Sequence, residues 1–249
     1  MKGDLVLTPY PPALGSGRAL RLWATIKALA EHRPVEVVYA DFDGSEPAAD
    51  LAGDDRIRLT AVKPGRGPRR AATYVGARAH RVPSSFARAV SPELHQAATQ
   101  QEGRAVRVIA DGPAAAHLLS GLAARRPVVY LAHNLESWLR PALGEAGAAG
   151  LRAFERSLLT RMAESWMASR ADLAGAGQLA PGAALRYVPN VVDVAAIQPV
   201  TAAPGPRALL VADFRYLPNA QAASFMVQEV MPRVWQQLPQ ARLSLIGRG

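Results

Sequence analysis

The stretch Asp4–Gly17, DLVLTPYPPALGSG, decides the fold, because a short apolar run, a proline-rich loop and a glycine turn follow one another there. Leu5, Val6 and Leu7 are continuous apolar residues, which is typical of a strand buried on both faces. The prolines end that strand and delay the next helix. The Gly15-Ser16-Gly17 turn then allows a helix to begin, and Ser16 is its predicted N-cap.

A helix is predicted after this turn because apolar residues recur at helical spacing. A glycine turn at a helix N-terminus presents unpaired N–H groups and a partial positive charge, so Gly15, Ser16 and Gly17 are candidate binding residues for a phosphate or an acidic group. The alternative is an ordinary connecting loop of an α/β sheet. The predicted apolar face consists of Leu20, Trp23, Ile26, Ala28 and Leu29, while Arg18, Arg21 and Lys27 are expected to face outward.

Composition narrows the possible functions. The chain has 249 residues and no cysteine, which excludes disulfides, thiolate metal sites and cysteine nucleophiles. The net charge is +9, and the segment between Arg56 and Pro92 contains nine basic residues and no acid. This one segment therefore carries as much positive charge as the whole chain has in excess. Such a segment is either a solvated surface or a binding surface for phosphates, such as anionic lipid headgroups or a polyanionic glycan. Nucleic acid is not expected as a partner, because no recognition motif is present.

Strands and helices alternate along the chain, which predicts a parallel sheet covered by helices on both faces. A long amphipathic helix is predicted from about Ala148, with one apolar stripe that reaches Trp166 and with Glu155 off that stripe. The other predicted elements are strands at Val35–Ala40, Ile57–Val62, Ala105–Ala110, Pro127–Ala132 and Leu185–Val188, and helices over Ala71–Gln101, with breaks at Pro83 and Pro92, and Ala114–Ala124.

The predicted domains are unequal in size. Residues 1–188 form a Rossmann-like domain, 189–206 a proline-dotted linker, and 207–249 a strand–helix–strand unit. The last unit is at or below the size that supports an independent core. We therefore expect a truncated version of a two-domain protein, with an incomplete second Rossmann-like domain.

Three groups of motifs resemble the glycosyltransferase family 4 proteins, which have the GT-B fold of two facing Rossmann-like domains. The first is the opening strand and glycine loop, Leu5–Arg18. The second combines Ala132-His-Asn-Leu-Glu136, Phe154-Glu-Arg156 and Tyr187-Val-Pro-Asn-Val-Val-Asp193. The third pairs Val211–Asn219 with Pro239–Gly247, which are similar to the start of the family's second domain.

This resemblance implies transfer of a sugar from a nucleotide-sugar donor to a glycan or lipid-linked acceptor, with retention of anomeric configuration and without a cofactor or a metal. It implies that His133 contacts the transferred sugar as the catalytic-site histidine. Gly15, Ser16, Gly17, Asn134 and Arg215 are the implied binding residues for donor or acceptor. A role in polysaccharide biosynthesis in a bacterial cytoplasm, with peripheral membrane contact through Lys63–Arg81, is the corresponding expectation.

The sequence also departs from the family pattern. The paired glutamates of the second domain and most of the nucleotide pocket would fall beyond Gly249, and the lysine that accompanies Arg215 in many members is missing. We therefore expect little transferase activity from these residues alone, because stabilisation of the departing diphosphate would be mostly absent.

Two other functions stay open at this point. An NAD-dependent oxidoreductase or a sugar-nucleotide epimerase would use Asp41, which follows the second strand, to bind ribose. The glycine loop, however, lacks the third glycine of that motif. A non-catalytic module that binds a polyanion or a membrane through the basic segment is the third possibility.

Overall fold

The computed structural model describes residues 3–42, 44–144, 148–194, 197–201 and 204–248. The chain forms two compact units, Met1–Val192 and Asp193–Gly249, and each is described by itself. Residues 195, 196, 202 and 203 of the predicted linker lie outside the described residues.

The first unit contains a parallel sheet of seven strands in the order β3-β2-β1-β4-β5-β6-β7. Strand order reverses between β1 and β4, which makes their carboxyl ends the switch point where open α/β sheets bind ligands. The strands are β1 (Gly3–Thr8), β2 (Val35–Ala40), β3 (Ile57–Val62), β4 (Ala105–Asp111), β5 (Val128–Leu131), β6 (Glu164–Met167) and β7 (Leu185–Tyr187).

Helices cover both faces of this sheet. Leu5 and Leu7 pack into one hydrophobic cluster, whereas Val6 packs into a second with Leu22 and Ile26. The predicted α/β fold class is therefore confirmed. The helices are α1 (Gly17–Ala30), α2 (Ala49–Ala52), α3 (Pro68–Ala79), α4 (Ser84–Ala87), α5 (Pro92–Gln101), α6 (Gly112–Leu118), α7 (Ser120–Ala123), α8 (Glu136–Ala142), α9 (Ala148–Arg161) and α10 (Arg170–Leu179).

The start of α1 follows the prediction, but its buried face is rotated from the predicted one. Ser16 is the N-cap, and its side chain accepts a hydrogen bond from the Ala19 N–H at 3.2 Å. Leu22 is fully buried, whereas Leu20 is 48% exposed. The predicted outward position of Arg21 is wrong, since this side chain is buried. Apolar residues lie on more than one side of this helix, so the sequence pattern does not fix which side packs on the sheet.

Replacing Ser16 by alanine should lower the free energy of unfolding by about 1 kcal/mol, because the Ala19 N–H loses its acceptor. Urea denaturation without ligand measures this change. Ser16→Asn retains a capping oxygen and should lose less than half as much. An unchanged free energy of unfolding in Ser16→Ala would show that the cap contributes nothing.

The predicted long helix is shorter than expected. It ends at Arg161, and Trp166 lies in β6 rather than on a helix. The predicted helix Ala114–Ala124 is also wrong in its bounds, because α6 begins at Gly112 and the helix is interrupted at Leu119 before α7 begins. Both errors have one cause: short elements separated by one or two residues keep a helical apolar period by chance.

The second unit has the predicted strand–helix–strand order. Strands β8 (Arg207–Asp213) and β9 (Arg242–Arg248) pair in parallel. Between them lie α11 (Leu217–Phe225), a π-helical segment (Met226–Val230) and α12 (Met231–Gln237). Among the residues described in both units, no helix has the length and apolar content needed to cross a membrane.

Candidate active site

A buried carboxylate organises the switch point of the first unit. Asp111 ends β4, and its side chain is inaccessible to solvent. One oxygen, Oδ1, lies 2.6 Å from Nε2 of His133, just beyond β5. The other, Oδ2, accepts hydrogen bonds at 2.8 Å from the hydroxyl of Thr8, at the end of β1, and from the guanidinium of Arg18 in α1. We call these four residues the Asp111 cluster.

The charges of the Asp111 cluster follow from its contacts. Burial alone would raise the pKa of Asp111, but attraction and hydrogen bonding from His133, the Arg18 charge and the Thr8 hydroxyl hold it below its ordinary value. With Asp111 ionised, we assign a proton to Nε2 of His133, which then donates to Oδ1. Nδ1 of His133 is buried and has no hydrogen-bond partner among the described residues. This unpaired ring nitrogen is a candidate contact for a ligand hydroxyl.

Two aromatic side chains, Tyr10 and Phe42, form a row that begins at Arg18. The Arg18 guanidinium lies over the Tyr10 ring, 4.7 Å from its centroid, and the centroid of Phe42 lies 6.1 Å from that of Tyr10. Tyr10 is 40% exposed, so part of its ring is open to a ligand. Arg18 is thus held on one side by a carboxylate and on the other by an aromatic face.

Three consecutive main-chain N–H groups fix the loop that carries His133. The N–H of Leu135 donates to Oδ1 of Asp172 at 3.0 Å. The next two, of Glu136 and Ser137, donate to the two oxygens of Glu155 at 2.8 and 3.0 Å. Glu155 was predicted to lie off the apolar stripe of its helix, yet it is only 3% exposed because it caps the N-terminus of α8.

The predicted site residues of the first unit lie around the Asp111 cluster. Gly15, Ser16 and Gly17 are exposed and immediately precede Arg18. Gly15 has a φ of +114°, which favours glycine. His133 is in the cluster, and the exposed Asn134 follows it.

Arg215 lies in the second unit, where it is engaged locally. Its guanidinium contacts both carboxylate oxygens of Asp213, at 2.9 and 2.5 Å. The hydrogen bond from the Arg215 guanidinium lowers the pKa of Asp213 to about 2. An incoming phosphate would therefore compete with a carboxylate for this guanidinium.

Sequence reasoning missed Asp111 and Arg21 as site residues. The Asp111-Gly112-Pro113 strand end was a signal for the first, since a strand-end acid at a switch point is a typical ligand group. Arg21 donates to the Asn190 side chain at 3.1 Å and to the Trp166 carbonyl oxygen at 3.4 Å. It thereby ties α1 to the segment that leaves β7, and no sequence signal indicates this contact.

Asp41, the ribose-binding candidate of the oxidoreductase alternative, follows β2 and accepts a hydrogen bond from the Gly44 N–H at 2.7 Å. Within the described ranges, no three His, Cys, Asp or Glu side chains are grouped to hold a metal ion.

Comparison with known proteins identifies the fold. No protein-family model matches the chain, and no curated protein matches its sequence. Among solved structures, Medicago truncatula UGT71G1 in complex with UDP-glucose is similar with a TM-score of 0.55 and 9% identity, over 99% of this chain and 72% of that chain. Phytolacca americana UGT2, complexed with UDP-2fluoro-glucose and pterostilbene, is similar with a TM-score of 0.54 and 12% identity, over 99% of this chain and 72% of that chain.

This similarity shows that the chain has the GT-B-type α/β fold of those two plant proteins. Identities of 9% and 12% show the fold alone. They do not distinguish glycosyltransferase family 4 from other families with this fold.

Proposed function

We propose that the protein is a glycosyltransferase of family 4 that transfers a sugar from a nucleotide-sugar donor to a glycan or lipid-linked acceptor with retention of configuration. The observation that carries this proposal is the convergence of Thr8, Arg18 and His133 on Asp111 at the switch point of the sheet. Ligands of open α/β sheets bind at such points, outside the carboxyl ends of the strands. The GT-B-type fold supports the same class.

Each group has a chemical role in this proposal. Asp111 holds the His133 ring so that Nδ1 forms a hydrogen bond with a hydroxyl of the transferred sugar. Gly15, Ser16 and Gly17 bring backbone N–H groups to the same edge for the anionic part of a substrate. In the reaction the acceptor oxygen bonds to the anomeric carbon, the bond to the donor phosphate breaks, and the acceptor proton leaves with the phosphate.

The remaining parts of the proposal concern partners and location. Asn134 and Arg215 are proposed to bind donor or acceptor, and neither a resident cofactor nor a metal is required. Lys63–Arg81 is proposed to contact an anionic membrane at the cytoplasmic face, because this stretch carries basic residues and no acid. Polysaccharide biosynthesis is the proposed setting.

A nucleotide-sugar panel tests the activity. The protein is incubated with UDP-, GDP- and ADP-sugars and candidate acceptors, and binding is followed by saturation-transfer NMR. The anomeric signals of any product decide the stereochemistry, since an inverted linkage would overturn retention. Binding of NAD without binding of any nucleotide sugar would overturn the transferase proposal itself.

Replacing His133 by alanine should lower kcat/KM for transfer by about tenfold, the value of one hydrogen bond to a sugar hydroxyl. The matched control is His32→Ala, which removes an exposed histidine just beyond the C-terminus of α1. It should leave kcat/KM unchanged. Equal rates in the His133 variant and the wild type would remove His133 from the site.

A further inference from the structure

A basic groove lies beside the Asp111 cluster, in the loop between β3 and α3. A depression of about 370 Å³ is lined by Lys63, Arg66 and Arg70, together with Asp41 and Phe42. A second depression of about 620 Å³ shares Arg70 and continues along Tyr74 and Arg88. Each volume is in the range of a small-ligand site. We call the two depressions together the basic groove.

The cations of the groove outnumber the anions near them. Lys63, Arg66 and Arg88 form no salt bridge with any described residue. Arg70 is partly buried, and its hydrogen bond goes to the uncharged carbonyl oxygen of Val90 at 2.6 Å. Four positive charges therefore line a concave surface with little local compensation.

The two nearby carboxylates are already engaged. Asp41 accepts a hydrogen bond from the Gly44 N–H. Glu93 accepts the Gly65 N–H at 3.1 Å and the Ser91 hydroxyl at 2.8 Å, while attracting Arg70 electrostatically. The groove therefore keeps a positive surplus after both acids are counted.

Aromatic rings connect the groove with the Asp111 cluster inside the first unit. Arg70 lies over the Phe42 ring, 4.6 Å from its centroid. Phe42 contacts Tyr10, which in turn lies under Arg18. A ligand that lies along these two rings would have Arg70 at one end and Arg18 at the other, with the remaining residues of the Asp111 cluster beyond Arg18.

We propose that the basic groove binds a phosphate ester of the acceptor, while the Tyr10 and Phe42 rings contact the part of the acceptor between that phosphate and the reacting hydroxyl. This inference rests on the proposed function and names its acceptor class. Arginine binds phosphate through two parallel N–H···O contacts, which suits Arg66 and Arg70. The phosphate belongs either to a lipid headgroup or to a soluble phosphorylated sugar.

Phosphate binding is tested without a nucleotide sugar, so the outcome is independent of transferase activity. Titration calorimetry compares glucose 1-phosphate with glucose at low salt. Flotation compares vesicles of phosphatidylcholine with vesicles that also contain phosphatidic acid. Binding of the phosphate sugar alone indicates a soluble acceptor, and binding of the anionic vesicles indicates a lipid-linked one.

Two charge-matched double variants make the test specific. Lys63→Gln with Arg66→Gln removes two exposed cations of the groove, whereas Arg58→Gln with Arg104→Gln removes two exposed cations beside the opposite edge of the sheet. The groove variant should bind the phosphate probe at least about tenfold more weakly, and the control should change less than twofold. Equal losses in both variants, or no binding of either probe by the wild type, would overturn the proposal. A failed donor assay with intact phosphate binding would instead overturn only the proposed reaction.

Discussion

Replacing Asp111 by alanine is expected to lower the free energy of unfolding by about 3–5 kcal/mol. The carboxylate is inaccessible to solvent, and His133, Thr8 and Arg18 all donate to it. Arg18 is 31% exposed and can turn to water, so most of the cost comes from the buried His133 and Thr8. Because whole domains are stable by about 5–15 kcal/mol, this loss is a large fraction of the total. Urea denaturation at neutral pH measures it.

Asp111→Asn keeps the shape of the side chain and separates charge from packing. The native pKa of Asp111 lies below that of the unfolded chain, which is about 3.9. The stability that ionisation of Asp111 contributes is therefore complete above about pH 4 and is lost as the pH falls through the native pKa. The difference between wild type and Asp111→Asn should shrink over that acid range.

An exposed carboxylate provides the control for both measurements. Asp55 is exposed, and Asp55→Ala should change the free energy of unfolding by less than about 0.5 kcal/mol. A difference between wild type and Asp111→Asn that stays constant down to acid pH would show that the Asp111 charge does not stabilise the native state.

The sheet was predictable because its strands are continuous apolar runs. Val35–Ala40 and Ile57–Val62 both match the predicted bounds. The first is buried along most of its length, whereas the second lies at the sheet edge and buries only Ile57. Strand β6 was missed for the opposite reason. It is only four residues long, and Glu164 and Ser165 interrupt its apolar character.

Buried polar groups were the least predictable part of the molecule. The helical pattern places Arg21 outward and Glu155 off the apolar stripe, because charged side chains rarely enter a core unless they are paired. Their partners come from other elements: Glu155 accepts from the N-terminus of α8, and Arg21 donates to Asn190. Only the tertiary arrangement brings these partners within reach.

The candidate site was predictable only where the signal is local to the sequence. His133 could be selected as a polar residue at a strand end, and Ser16 as a cap. Asp111 meets Thr8 across 103 positions of sequence and Arg18 across 93. These contacts depend on β1 lying next to β4, and that strand order cannot be read from the apolar pattern.

Glu155→Ala is expected to lower the free energy of unfolding by about 2–4 kcal/mol, because it leaves the N–H groups of Glu136 and Ser137 buried without an acceptor. Glu155→Gln retains one carbonyl oxygen and should lose about half as much. Arg152→Ala, an exposed position on the same helix, is the control and should change stability by less than about 0.5 kcal/mol.

Local hydrogen exchange distinguishes this role of Glu155 from simple packing in the core. In the alanine variant the amides of Leu135, Glu136 and Ser137 should exchange much faster than those of β1, because the lost acceptor lies at the N-terminus of α8 and the sheet interior is untouched. Since His133 lies just before these amides, its Nδ1 should lose its fixed position, and transfer should weaken together with the protection. Unchanged exchange at Glu136 and Ser137 would show that Glu155 is not their acceptor and that another contact holds the His133 loop.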